Sequence, residues 1–338
     1  MTESLRITVL GAGHWGTALA QHLAMREHNV TLWAYESEVV TGINQQHRNP
    51  LFLKEALLSE RIVATNEISE AIIDAKIILF VIPAQLIRKY LVKLRGKLQV
   101  DVPVVICSKG IERRSLATMD QVCIEELPAS YHANICVLSG PSFAAEVAKG
   151  VPTNLTLAAR DNNTAKLVQN ALATKGMRVY TTDDLVGVEL GGALKNVIAI
   201  AIGACVGLGF GLNTQAGFIT RGLSEVTRLT MAMHGRPETM LGLAGVGDLI
   251  LTCTGELSRN RQVGKLLAQG RQRADIESEM RMVAEGIPTA ESAYELAQKY
   301  NVDVPIIEQV YRVLYKGISV IEAMEVLQSR SLKEEWGN

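Results

Sequence analysis

A chain of 338 residues is long for one hydrophobic core and comfortable for two domains. Its 48% apolar and 20% charged residues are those of an ordinary soluble protein, and a formal net charge of −1 without any block of like charge gives no sign of a nucleic-acid or membrane-surface partner. The five cysteines (Cys107, Cys123, Cys136, Cys205, Cys253) form no CxxC pair and are odd in number, so buried free thiols in a reducing compartment are expected; the N-terminus lacks a signal-peptide apolar segment, which makes the cytoplasm the expected location.

In chain order, the first half alternates short β-rich runs with helix-like segments. Strands are expected at 6–10, 30–34, 61–64, 77–81, 104–107 and 135–138, with helical spacing between them, as at 18–26 and 86–94. Strands that are apolar throughout and separated by helices indicate a parallel sheet covered on both faces. Runs at 155–158 and 178–180 extend that sheet. The pattern changes near Thr181: from Leu185 onward helical periods dominate, at 193–205, 217–233, 259–268, 289–299 and 306–315. The fold class is therefore α/β, with an N-terminal Rossmann-type parallel-sheet domain over residues 1–184 that binds a dinucleotide. An all-helical C-terminal domain over 185–338 is expected to bind substrate and carry the catalytic groups. The apolar run 197–212 is under 18 residues, holds five glycines and cysteines together, and reads as a buried helix and its exit rather than a membrane span.

Gly11, Gly13 and Gly16 in "ITVLGAGHWGTALAQHLAMREHNVTLWAYE" fit G-x-G-x-x-G directly after a strand and at the start of a helix. The first glycine makes the tight turn, the second lets backbone approach a pyrophosphate, and the third lets helix pack on strand. The helix N-terminus then offers free N–H groups and a positive dipole end. Glu36 lies 20 residues beyond Gly16, where a carboxylate accepts hydrogen bonds from the adenosine ribose and repels a 2′-phosphate; with Tyr35 beside it, this leans towards NAD. A glycine turn of purely structural use, with Glu36 pointing into water, is the competing reading.

Lys109 follows "VVICS", past the carboxyl end of a strand, on the edge that faces the ligand crevice in open α/β sheets. In "SGPSFAAEV" a Gly-Pro turn precedes Ser142, which is placed either to cap a helix or to offer hydroxyl and amide donors to a ligand. Lys195, in "LGGALKNVIAIAIGA", is set in a helix that is otherwise almost wholly apolar. An ammonium there must pair or lose its charge, and the second outcome makes it a proton acceptor, although a snorkelling structural lysine has the same sequence. Asp248, in "GLAGVGDLILTCTG", is an N-cap aspartate taken alone; beside a buried lysine it is the partner that holds the amine. In "ELSRNRQVGKLL", Ser258 starts a helix whose first turn holds Arg259 and Asn260. A cation at a helix N-terminus opposes the dipole unless an anion rests there, or unless the arginine simply faces solvent. Together these elements describe hydride transfer at the alcohol carbon of a small phosphorylated or carboxylated substrate.

These motifs, with "GAGHWGTALA", "CSKGIE", "GLNTQAGFITRGLSEVTRL" and "VAEGIPTA" in the same order, resemble the bacterial-type NAD(P)-dependent glycerol-3-phosphate dehydrogenases over nearly the whole chain. The resemblance implies interconversion of sn-glycerol 3-phosphate and dihydroxyacetone phosphate with NAD or NADP, supply of glycerol 3-phosphate for phospholipid synthesis, and usually a homodimer. Carried over by motif, Lys195 is the proton acceptor, with Lys109 and Asp248 as its catalytic neighbours. Lys109, Gly140, Ser142, Lys195, Asp248, Ser258, Arg259 and Asn260 line the substrate site, with Arg259 and Asn260 on the phosphate. Gly11, Gly13, His14, Trp15, Gly16, Tyr35, Glu36, Lys109, Ala144, Arg259, Val283 and Glu285 form the cofactor set. No metal is implied.

Two positions depart from the family pattern. His14 stands where a small polar residue is common, and Tyr35–Glu36 replace a basic residue that many members carry, so NAD use at least comparable to NADP is expected. Two other readings remain open from the residues: a 3-hydroxyacid dehydrogenase with a similar lysine-asparagine step, and a dinucleotide-sensing binding protein without turnover.

Overall fold

The computed structural model describes residues 4–280, 284–332 and 334–335. The N-terminal half runs β1 (Arg6–Leu10), α1 (His14–Met25), β2 (Asn29–Trp33), α2 (Ser37–Gln46), β3 (Ile62–Thr65), α3 (Ile68–Ala71), β4 (Ile77–Phe80), α4 (Ile87–Leu94), β5 (Val104–Ile106), α5 (Met119–Glu126), β6 (Ile135–Ser139), α6 (Ala144–Ala148), β7 (Thr153–Ala159), α7 (Asn162–Leu172) and β8 (Met177–Thr182). The strands form one sheet in the order β3-β2-β1-β4-β5-β6-β7-β8. Its central strands are apolar on both faces for the expected reason: Ile77 and Leu79 enter one apolar cluster while Ile78 and Phe80 enter another across the sheet.

The sheet departs from the parallel expectation at one pair, since β7 runs antiparallel to β6, with Ser139 opposite Thr156 and Cys136 opposite Ala159. The link between them explains this. A parallel return needs a crossover of a dozen or more residues along the sheet, usually a helix. Here the only helix in the link is the five-residue α6, so the excursion stays at the carboxyl edge of β6 and β7 starts from there. β8 is then parallel to β7.

After β8 the described residues contain helices only: α8 (Leu185–Gly207), α9 (Leu212–Ala232), α10 (Pro237–Met240), α11 (Asp248–Thr254), α12 (Arg259–Ala268), α13 (Arg273–Glu279), α14 (Gly286–Lys299), α15 (Pro305–Tyr315) and α16 (Val320–Gln328). They pack around α8, whose Leu190, Leu194, Val197, Ile198 and Ile202 anchor a third apolar cluster. At 23 residues α8 is long and apolar enough to cross a membrane, yet 94% of its most apolar window is buried against the rest of the chain. It begins eight residues before the stretch its periodicity marks. Glycines in its first turns serve close packing: a Cβ on Gly192 would lie 2.6 Å from the Ser139 hydroxyl. Asp184 caps this start, one carboxylate oxygen accepting from the Gly187 N–H at 2.9 Å and the other from the Arg236 N–H at 2.9 Å and the Thr239 hydroxyl at 2.6 Å. All five cysteines are buried and free.

Candidate active site

The carboxyl ends of β1, β4, β5 and β6 open on one crevice, and the site is assembled from the loops and helix starts beyond those ends. After β1, Gly11 takes a φ of +116°, and a Cβ on Gly16 would lie 1.8 Å from the Gly11 carbonyl oxygen, so both positions demand glycine. Nothing lies within 4 Å of the Cβ that Gly13 lacks, which leaves open space above the first turn of α1. No acidic side chain occupies that turn. The loop is braced by Asn49, fully buried, whose amide donates to the Ala12 carbonyl and the Thr17 hydroxyl at 2.9 Å and accepts from the Leu51 and Phe52 N–H groups at 3.1 and 3.0 Å. Beyond β2, Tyr35 is exposed and Glu36 half-buried; both lie near Tyr90, whose hydroxyl pKa is raised by burial and by these two neighbours.

Lys109, three residues past β5, donates to Asp248 Oδ2 at 2.7 Å and to the Gly140 carbonyl at 3.3 Å. Lys195 donates to Asp248 Oδ1 at 2.5 Å and to Thr252 Oγ1 at 2.7 Å. One buried carboxylate thus lies between two ammonium groups from different parts of the fold. Asp248 reaches this position through Leu243–Gly247, a single π-type turn in which Gly245 leaves helical backbone, and it is the first residue of α11 rather than the N-cap. Burial brings the Lys195 pKa down to about 8; Asp248 opposes this and Lys109 adds to it. Burial alone would raise the Asp248 carboxyl, but Lys109 and Lys195 outweigh it and hold it below the ordinary carboxylate range.

Ser142 is not the helix cap that its position suggests. Phe143 precedes α6, and the Ser142 hydroxyl donates to the Gly140 carbonyl at 3.0 Å, the same oxygen that Lys109 contacts. Ser258 does cap α12, accepting from the Arg261 N–H at 3.3 Å. The Asn260 side chain turns inward, its amide donating to Asn196 Oδ1 at 2.9 Å and accepting from the Gly286 N–H at 3.0 Å. It ties α12 to α8 and α14. Glu285, just before α14, accepts from the Ala84 N–H at 3.1 Å, and burial pushes its pKa up to about 7 against that bond and Arg259. Ala144 opens α6, and Val283 lies outside the described residues.

Five polar atoms on these elements are buried with no partner among the described residues: His14 Nδ1, Trp15 Nε1, Ser139 Oγ, Glu285 Oε2 and Thr289 Oγ1. Buried polar groups are normally bonded. Orphans that line one crevice, beside an open space over a glycine, fit a dinucleotide there. Asn49, Ser139, Asn196, Thr252 and Thr289 were not singled out from the sequence. Thr252 alone had an available signal, since it lies one helical turn after Asp248 and so shares its face. The arrangement can hold a dinucleotide at the glycine loop, an anion at the start of α12, and a proton on an amine between them.

Comparison with known proteins gives a consistent result. Residues 6–165 match the family described as NAD-dependent glycerol-3-phosphate dehydrogenase N-terminus, and residues 184–325 its C-terminus. The glycerol-3-phosphate dehydrogenase (NAD(P)+) of Citrifermentans bemidjiense is 51% identical over 330 residues, covering 98% of each chain. The like-named protein of Geobacter sulfurreducens is 50% identical over 332 residues, 98% of this chain and 99% of that one. The crystal structure of glycerol-3-phosphate dehydrogenase from Coxiella burnetii matches with a TM-score of 0.91 at 34% identity, covering 97% of this chain and 99% of that one.

Proposed function

The chain belongs to the NAD-dependent glycerol-3-phosphate dehydrogenases, and on that premise we propose how its residues divide the work. It is an oxidoreductase that interconverts sn-glycerol 3-phosphate and dihydroxyacetone phosphate with NAD(P). Bound NAD(P) supplies the hydride acceptor in one direction and the hydride donor in the other. Everything else is done by the chain's own groups.

Lys195 takes the proton of the substrate hydroxyl during oxidation and returns it during reduction. Its pKa of about 8 keeps a usable fraction neutral near physiological pH. Asp248 positions that amine and Lys109 together, and Lys109 lowers the affinity of Lys195 for its proton while offering a donor to the substrate oxygen. Arg259, the Ser258 hydroxyl and the first N–H groups of α12 receive the substrate phosphate, helped by the absence of acidic residues from that turn. Gly140 and Ser142 close the side of the site next to Lys109. The glycine loop with Trp15, Ala144 and Glu285 holds the dinucleotide. The single observation that carries this reading is the buried carboxylate shared by Lys109 and Lys195, which lie 139 and 53 residues from it in the chain.

Tyr35 and Glu36 support NAD use at least comparable to NADP, because the five residues that follow β2 in sequence, Ala34 to Glu38, include no lysine or arginine. Measured side by side, a much lower KM for NADPH than for NADH would overturn this. We further place the enzyme in the cytoplasm as a homodimer, supplying glycerol 3-phosphate to phospholipid synthesis; the buried free thiols suit a reducing compartment. The deciding assay is NADH or NADPH oxidation with dihydroxyacetone phosphate on wild type and Lys195→Ala. The variant is expected to bind NADH and to lose on the order of 10²-fold or more in kcat. Retention of most of the wild-type kcat would remove Lys195 from the chemistry.

A further inference from the structure

His14 is the only titratable side chain in the glycine loop, and it is the first residue of α1, where the free N–H groups of a helix converge on an anion. Its ring stands edge-on to Phe52, with centroids 5.4 Å apart, and Phe52 is held in place by Asn49. The Nδ1 atom is buried and has no partner among the described residues, a costly arrangement unless a ligand completes it. From the other half of the chain, the positive charge of Arg259 reaches the same ring.

We propose that His14 takes a proton from solvent as the dinucleotide enters, so that its Nδ1–H finds its missing partner on the pyrophosphate. This rests on the dinucleotide reading of the loop. Before binding, burial and then Arg259 hold the ring below its ordinary pKa, so it is neutral at pH 7. The pyrophosphate brings two negative charges to Nδ1 and offsets the field of Arg259, and both changes favour the imidazolium, whose Nδ1–H donates to a phosphate oxygen. The other charged groups on the surrounding elements do not oppose this. Arg48 and Lys54, on the loop that carries Phe52, are exposed, and the Arg48 side chain turns to the Lys54 carbonyl at 3.3 Å. Glu146 and Lys149, on and just after α6, are exposed, and Glu285 interacts with Arg259. Among all of these, only Arg259 acts on the ring.

Linkage fixes the sign. A group that gains a proton on binding makes binding tighter as pH falls, by up to about tenfold per pH unit inside its titration window. The test is calorimetric titration of wild type and His14→Asn with NADH, and separately with ADP-ribose, between pH 6 and 8 in two buffers of different ionisation enthalpy. Neither probe titrates in that window, whereas the 2′-phosphate of NADPH would. Wild type should take up about half a proton or more near pH 7 with both probes, and its Kd should fall several-fold from pH 8 to pH 6. His14→Asn should bind both probes several-fold more weakly, with that uptake gone. Glu285 and Lys195 titrate nearby but are present in both proteins, so the difference isolates His14. Equal uptake in the two proteins would overturn the role of His14 while leaving the dinucleotide site intact, and so would loss of uptake with ADP-ribose alone. Failure of wild type to bind either probe would sink the dinucleotide reading itself. His14→Ser, smaller at the same position, guards against a folding defect peculiar to asparagine.

Discussion

Helix α8 carries a buried glutamate and a buried lysine six positions apart, and they behave in opposite ways. Lys195 and Glu189 are each 7% exposed, and both have pKa values far from ordinary. Lys195 meets Asp248 and Thr252 on the crevice side. Glu189 meets α5, where it accepts from the Asp120 N–H at 2.9 Å beside a carboxylate already held by the Thr118 hydroxyl at 2.6 Å and by Arg160 at 2.5 Å. Burial, followed by the negative charge of Asp120, drives the Glu189 pKa well up, so it stays a neutral acid; one of its oxygens has no partner among the described residues. Burial and a perturbed pKa mark both sites equally, so neither is a sign of catalysis by itself. What separates them is the partner. The carboxylate that holds Lys195 also holds a second cation at the strand end where ligand binds, so proton occupancy on Lys195 responds to what enters the crevice. Glu189 has a like charge beside it and nothing that a ligand can reach.

The sharpest way to break this contrast is Asp248→Asn. It leaves two ammonium groups around a buried amide, which should cost about 3 kcal/mol of stability and 10²-fold or more in kcat. It should also move the pH profile in a known direction. Oxidation needs the neutral amine, so its rate rises with pH through the Lys195 pKa, about 8 in the wild type. Asp248 raises that pKa, and its neutral replacement lets it fall, so the rising limb should shift to lower pH. An unmoved limb in steady-state profiles would mean that Asp248 has no electrostatic hold on the acceptor.

Thr252→Val is the next largest effect. It keeps the shape of the side chain but removes the hydroxyl that accepts from Lys195 and donates to the Asp248 carbonyl at 2.7 Å. About tenfold in kcat should be lost with little change in melting temperature, the scale of one hydrogen bond to a charged group. A much larger fall in melting temperature than in kcat would assign Thr252 to packing alone.

Thr252 also marks where reading the sequence stops. The glycine loop was legible because its spacing is local, and Lys195 because one charge in an apolar helix must be answered. Asp248 could be paired with it on chemistry alone. The tie that the Asn260 amide makes to Asn196 and the Gly286 N–H was not legible, because which way an amide turns depends on helices that are distant in sequence. The reversal of β7 escaped because strand direction is set by the path of the link, not by strand composition. Glu189 escaped for the most instructive reason. It is an ionisable residue in the same helix as Lys195, and no spacing rule says which of the two faces the crevice.

The smallest effect tests the quiet half of the comparison. Glu189→Gln keeps a carbonyl for the Asp120 N–H and removes only the capacity to ionise, so activity should stay within about twofold of wild type. Stability should change with pH in a defined sense. The unfolded glutamate loses its proton near pH 4.3, while the folded one holds it to much higher pH, so over that interval the folded state carries the extra proton and wild-type stability falls as pH rises. Glutamine has no such proton. The two proteins should therefore melt together near pH 4, and the variant should gain on wild type by about 1 kcal/mol or more towards pH 8. Parallel curves across that range would mean that Glu189 is ionised and paired in the folded protein. Its kinship with Lys195 would then be closer than burial and neighbours indicate, and the partner rule drawn from α8 would lose its contrast.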